Sequence, residues 1–94
     1  MAVKCIGRRM AGGNGHEYIS DIQWQNDTTG QVGISSRDQI VDFIDKAGET
    51  ALYCPDRNNG PAAWVRVNSN GRVRYPQTYA DGRWTNNLLA LPEV

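Results

Sequence analysis

Sulfur and imidazole are scarce in this chain, which has 94 residues but only two cysteines and one histidine. Cys5 and Cys54 are too few and too far apart to form the disulfide framework of a secreted mini-protein. A structural zinc site needs about four ligands at short spacings. Neither a Cys-x-x-Cys nor a His-x-x-x-His pair occurs, so no metal and no other cofactor is expected. The two thiols read as small buried hydrophobes, and a bridge between them requires that their strands be neighbours. Net charge is also missing, with 10 Lys+Arg against 10 Asp+Glu. That removes a blanket electrostatic pull toward nucleic acid or an anionic membrane. No apolar run approaches the roughly 20 residues needed to span a bilayer, and residues 1–10 lack the continuous apolar stretch of a secretory signal. A cytoplasmic protein with no membrane partner is expected. Repeats, linkers and low-complexity segments are absent, so residues 1–94 are expected to form one domain.

What is present fits a small globule, with 39% hydrophobic and 21% charged residues. Residues 2–10 read as a first strand. A loop follows with Gly12, Gly13 and Gly15, a density that neither helix nor strand tolerates. Residues 18–25 form the second strand. Tyr18, Ile22 and Trp24 share one parity and Ile19 lies off it, which points to a bulge near Ser20. Asn26 to Ser35 is turn-rich, with Gly30 and Gly33. Residues 36–47 are predicted as the helix. Ser36 is its N-cap, Gln39 stands at the capping-box spacing, and Ile40, Phe43, Ile44 and Ala47 form the apolar stripe. Asp38 and Lys46 suit the macrodipole, and Gly48 suits the C-terminal stop. Residues 50–54, 62–68 and 72–79 complete the strands, with a loop from Pro55 to Pro61 and a further turn at Asp81-Gly82. The expected architecture is α+β, in the order ββαβββ, with a mainly antiparallel sheet packed by one helix.

The turn Ser69-Asn70-Gly71 decides which residues share a face. A three-residue loop with Gly71 left-handed pairs Val67 with Val73 and Val65 with Tyr75, and register follows the buried face. Trp64, Arg66, Arg72 and Arg74 then face away from the core, with Arg66 opposite Arg74. Like charges directly opposite are unfavourable, so either neighbouring carboxylates or solvent screens them, or the face exists to bind something. Arg and Trp are enriched in interface hot spots. Arg also outnumbers Lys eight to two, which favours planar, bidentate contacts. Charge is uneven along the chain, with a basic first strand and hairpin and an acidic helix edge at Asp38, Asp42 and Asp45. A dipolar molecule is expected.

Several segments match a known pattern. Gly12-Gly13 with His16 leads into the second strand, which holds Ile22 and Trp24. The helix opens on Ser36-Arg-Asp-Gln39. The most specific part is the stretch from Thr78 to Pro92, which reads Thr-Tyr-Ala-Asp-Gly-Arg-Trp-Thr-Asn-Asn-Leu-Leu-Ala-Leu-Pro. On these residues the chain resembles the bacterial and phage family known as domain of unknown function 3892, over nearly its whole length. The resemblance implies a compact α+β domain and supplies no activity and no catalytic residue.

Three function classes remain. The first is a protein–protein module using Trp64, Arg66, Arg72 and Arg74. One form of it is a phage-encoded inhibitor of a host nucleoprotein, which the resemblance and the small size suggest. The second is a sheet binding RNA or a single strand, with aromatics stacking on bases and arginines meeting phosphates. The third is a small-ligand or enzymatic site at the loop of Gly12, Gly13 and His16. Here the ordinary reading is a hairpin connection, because a phosphate-cradling loop must open a helix. His16 and Glu17 point to opposite faces of an extended strand, and no nucleophile stands in a Gly-x-Ser-x-Gly context. No catalytic residue is assigned, and binding is expected rather than catalysis. The oligomeric state is open. The tail Asn86–Pro92 is apolar enough to pack on the sheet, and if it covered Trp64 the binding face would be lost.

Overall fold

The computed structural model describes residues 3–13, 15–48, 50–55, 62–80 and 82–94. Of the loop expected between Pro55 and Pro61, everything after Pro55 lies outside the described residues, as does Asp81 of the expected turn. Seven strands and one α-helix occur among the described residues. They are β1 (Val3–Met10), β2 (Ile19–Asn26), β3 (Val32–Ser36), α1 (Arg37–Ala47), β4 (Leu52–Cys54), β5 (Ala63–Ser69), β6 (Arg74–Ala80) and β7 (Arg83–Thr85), with a short 3-10 turn at His16–Tyr18. The domain is therefore α+β with a mainly antiparallel sheet. The sheet order is β3-β2-β1-β4-β5-β6-β7, and only β1 and β4 run parallel.

The element order corrects the expected ββαβββ to βββαββββ. The extra strand before the helix, β3, comes from a segment whose glycines read as turn. Asn26 builds that turn with its side chain, its Oδ1 accepting the amides of Thr28 and Thr29 at 2.8 and 3.1 Å. Gly33 is then a strand residue for a packing reason. It pairs with Trp24, and a Cβ there would stand 2.5 Å from the Trp24 ring. A glycine inside a strand often marks such a close approach. The extra strand at the end, β7, is only three residues long. The bulge near Ser20 is present, since the β1–β2 register skips it between Asp21 and Ile19.

The helix begins where its sequence says. Ser36 Oγ accepts the Gln39 amide at 3.2 Å and Gln39 Oε1 accepts the Ser36 amide at 2.8 Å, closing both halves of the capping box. Its buried face is rotated from the expected stripe. Ile40, Val41 and Ile44 are buried, whereas Phe43 is 38% exposed and Ala47 is exposed. The helix touches β2, β3, β5 and β6 with Ile40, Val41 and Ile44 turned inward, and Phe43 is left at the rim. There Phe43 borders an apolar recess of about 230 Å³ with Val3, Trp24 and Leu52.

One cluster forms the core. Cys5, Ile19, Ile22, Ile40, Ile44, Leu52, Cys54 and Val65 join Leu88 and Leu91 from the tail. The tail then returns to β1. Arg8 N donates to Pro92 O at 3.0 Å and Val94 N donates to Arg8 O at 2.9 Å. The Arg8 side chain adds bonds to Leu89 O at 3.1 Å and Glu93 Oε2 at 2.8 Å.

The rotated helix face sets an order of stability losses. Ile44→Ala removes a wholly enclosed side chain and is expected to cost about 2–5 kcal/mol. Phe43→Ala is expected to cost less, although the ring is larger. Urea denaturation of both variants decides it, and an equal or larger loss for Phe43→Ala contradicts the burial described.

Candidate functional site

The β5–β6 hairpin brings the candidate residues together differently from the sequence expectation. Its pairs are Trp64 with Tyr79, Val65 with Thr78, Arg66 with Gln77, Val67 with Pro76 and Ser69 with Arg74. Val67 therefore does not meet Val73. The reason is the Asn70 side chain, whose Oδ1 accepts the amides of Arg72 and Val73 at 2.9 and 3.0 Å. Those two residues are drawn into a longer connection. Gly71 keeps the expected positive φ, at 88°. An odd shift in register turns every side chain of the second strand over.

The four predicted residues consequently split. Trp64 and Arg66 stay on the outer face, away from the helix. Arg74 moves to the helix side, where Nη1 and Nη2 bind the two carboxylate oxygens of Asp45 at 3.0 and 2.8 Å. Arg72 sits in the connection, exposed, and lines the cleft beside the start of the helix. The expected facing of Arg66 and Arg74 is absent. The acidic helix edge is met locally by Arg74 and Lys46, the latter 2.9 Å from Asp42.

The same register assembles a group that the sequence reading missed. Tyr53 pairs with Trp64, Trp64 with Tyr79, and Tyr79 with Trp84. Four aromatic residues thus stand in one row across β4, β5, β6 and β7 on the outer face. Trp64 and Trp84 are each 40% exposed. The rings meet edge to face, Tyr53 and Trp64 at 6.2 Å and 80°, Tyr79 and Trp84 at 5.1 Å and 81°. The Arg66 guanidinium lies 4.3 Å from the Tyr79 ring centre, within cation–π range. At the β4 end, Tyr53 Oη donates to Asp27 Oδ2 at 2.7 Å, and that bond to a carboxylate raises the phenol above its ordinary pKa. A recess of about 330 Å³ opens between Asp27, Tyr53, Ala63 and Trp64. The only sequence signal for the row was Trp64 itself, since the other rings join it only once the register is known. The tail does not cover Trp64, because its leucines lie in the core.

The loop of Gly12, Gly13 and His16 is arranged around packing. Gly12 has φ 86°, and a Cβ on Gly13 would stand 2.4 Å from the Tyr18 ring. The expected extended placement of His16 and Glu17 is replaced by the 3-10 turn. His16 is buried, and its Nε2 has no hydrogen-bond partner among the described residues. A cleft of about 630 Å³ beside this loop is lined by Glu17 and Tyr18 rather than by His16. Cys5 and Cys54 are buried and not joined in a disulfide, and burial together with the neighbouring Cys54 pushes the Cys5 thiol up, away from nucleophilic thiolate. Among the described residues no cluster of three or more His, Cys, Asp or Glu could hold a metal ion, and no helix is long and apolar enough to cross a membrane.

Burial lowers the His16 pKa from its ordinary value, against the smaller opposing pull of Glu17. The unfolded chain therefore takes up a proton first, near pH 6.5. Stability from this group is full above that pH and declines as pH falls toward the folded value. Urea midpoints measured between pH 7 and pH 5 should fall for the natural chain and fall less steeply for His16→Leu. Equal slopes would exclude His16 as the titrating group.

No curated protein and no solved structure matches the chain. One family model does, over residues 2–92, and it takes in both the loop of Gly12 and Gly13 and the tail that locks onto Arg8. With that span covered, the chain belongs to the family described as a protein of unknown function, DUF3892.

Proposed function

We propose that this protein is a non-enzymatic binding module whose partner is another protein, engaged by the outer face of β4–β7 around Trp64 and Trp84. The observation that carries the reading is the aromatic row, in which two half-exposed tryptophans flank Tyr79 and the Arg66 guanidinium lies over the Tyr79 ring. Large apolar groups left exposed in contiguous array mark interaction sites, and Trp, Tyr and Arg are the side chains that dominate interface energetics. The reading keeps the partner class expected from the sequence and moves the site. Trp64 and Arg66 remain in it, Arg72 and Arg74 leave it, and Tyr53, Tyr79 and Trp84 enter. An intracellular setting accords with it, since the two buried thiols would stay reduced there. Inhibition of a host nucleoprotein by a phage-encoded protein is one form that such binding takes.

A second reading, a sheet for RNA or a single strand, draws on the same aromatics, which could stack on bases. Three features favour the first. Arg66 already lies over Tyr79, and the edge-to-face pairs leave no parallel slot into which a base slides. The zero net charge also supplies little of the phosphate attraction that dominates nucleic-acid affinity.

Pull-down from nuclease-treated lysate, with mass spectrometry, tests the reading. Trp64→Ala and Trp84→Ala should each lose the captured protein while shifting the thermal midpoint by only a few degrees. Arg74→Ala, on the helix side, should keep it. Loss of capture on nuclease treatment, or retention by both tryptophan variants, sinks the proposal.

A further inference from the structure

We infer that the free edge of β3 pairs antiparallel with the same edge of a second copy of this chain, centred on Gly33, to form a two-fold dimer. This edge lies at the far side of the sheet from β7, and the inference does not depend on the aromatic row. Register shows which backbone groups the edge offers. Asn26 N donates to Gln31 O at 2.8 Å. The unbroken register then makes Trp24–Gly33 and Ile22–Ser35 the hydrogen-bonded pairs of β2 and β3. Val32 and Ile34 stand at the alternate positions, opposite Gln25 and Gln23, so their N–H and C=O groups point away from β2. None of these groups finds a partner among the described residues.

The outward positions on either side are closed by the chain itself. Gly30 N donates to Asn26 O at 2.8 Å, and Gly30 O accepts from Gln25 Nε2 at 3.5 Å. Ser36 N donates to Gln39 Oε1 at 2.8 Å in the capping box. The open edge is therefore Val32 and Ile34 alone, placed symmetrically about Gly33.

Unpaired groups occur at any sheet edge, but this symmetry selects the occupant. An isologous contact needs a surface complementary to itself. A copy turned about Gly33 sets Val32 opposite the partner's Ile34 and Ile34 opposite the partner's Val32. Each such pair exchanges both N–H···O bonds, and every open group on both copies is satisfied. The shared ladder ends at Gly30 opposite the partner's Ser36, where neither chain has a group to spare. A longer strand from another protein would run past those positions with its own groups unmatched. Residues 30–36 carry no charge and no proline, the usual protections of an edge strand, so self-pairing meets no like charge. The opposite edge, β7, begins with Arg83. Val32 and Ile34 are 48% and 45% exposed, and in the dimer they form β-branched cross-strand pairs. The two-fold axis stands across the joined sheet, so the outer faces of both copies point to one side.

Sedimentation equilibrium of the intact chain, from about 1 μM to about 1 mM, should show the mass rising from one chain toward two. Val32→Lys/Ile34→Lys sets ammonium groups opposite each other at both ends of the ladder and should weaken self-association at least about tenfold. Val32→Lys/Ile34→Glu removes similar apolar area but sets each ammonium opposite a carboxylate in this register, and should restore the dimer at low salt. Ile34→Pro deletes a donor that β2 does not use and should leave a folded monomer; it replaces the lysine variants should they fail to fold. Trp84→Ala should dimerise like the natural chain. A natural chain monomeric throughout, or a dimer that persists in Val32→Lys/Ile34→Lys, overturns the inference. So does a Val32→Lys/Ile34→Glu chain no more dimeric than Val32→Lys/Ile34→Lys. Loss of the dimer in Trp84→Ala would place the contact on the outer face and overturn it as well.

Discussion

The fold depends on how β1 is paired along its second side. β4 meets it only through Val3–Leu52 and Lys4–Tyr53. Beyond that, the backbone of an interior strand would be left short of partners, which is costly where water is excluded. The tail removes the problem by running beside Arg8, donating from Val94 and accepting at Pro92. Arg8 then ties Leu89 and Glu93 with its side chain. Gly7 is the adjoining concession to space, since a Cβ there would stand 2.6 Å from Val94. A strand of three residues suffices as β4 because the last residues of the chain finish its work.

That arrangement also decides which surface is free. Leu88 and Leu91 are part of the same core as Ile40, Ile44 and Val65, so the tail packs with the helix into that core. It has no leucines left for the outer side. Trp64 and Trp84 stay 40% exposed because the apolar segment that could have covered them is committed elsewhere. Packing on one face thus leaves the aromatic row available on the other.

Local chemistry was legible in the sequence wherever a single residue sufficed to specify it. The Ser36–Gln39 capping box, the bulge at Ser20 and the left-handed Gly71 each follow from residue types within a few positions of one another. Features set by distant contacts were not legible. Gly33 reads as a turn residue until the Trp24 ring is known to lie against it. Phe43 reads as core until the packed helix shows Val41 buried and Phe43 at the rim. The largest error came from the hairpin. Burial of Val67 and Val73 seemed to fix the register, but the Asn70 side chain captured two amides and lengthened the connection. Arg74 turned inward to Asp45 as a result. One side-chain hydrogen-bond pattern therefore dissolved an arginine face and created an aromatic row.

The electrostatics are largely local. Most of the charged side chains that the structure pairs lie against a single opposite charge, Arg8 with Glu93, Lys46 with Asp42 and Arg74 with Asp45, and such exposed pairs add little stability. Of these, only the Arg74 pair follows from the hairpin connection, which turns that side chain toward the helix. On the outer face the guanidinium set among the rings is that of Arg66, 4.3 Å from the Tyr79 ring centre. What that face presents is set by which rings the register brings together, Tyr53, Trp64, Tyr79 and Trp84. The register of one hairpin therefore decides the chemistry of the surface more than the count of arginines in the chain does.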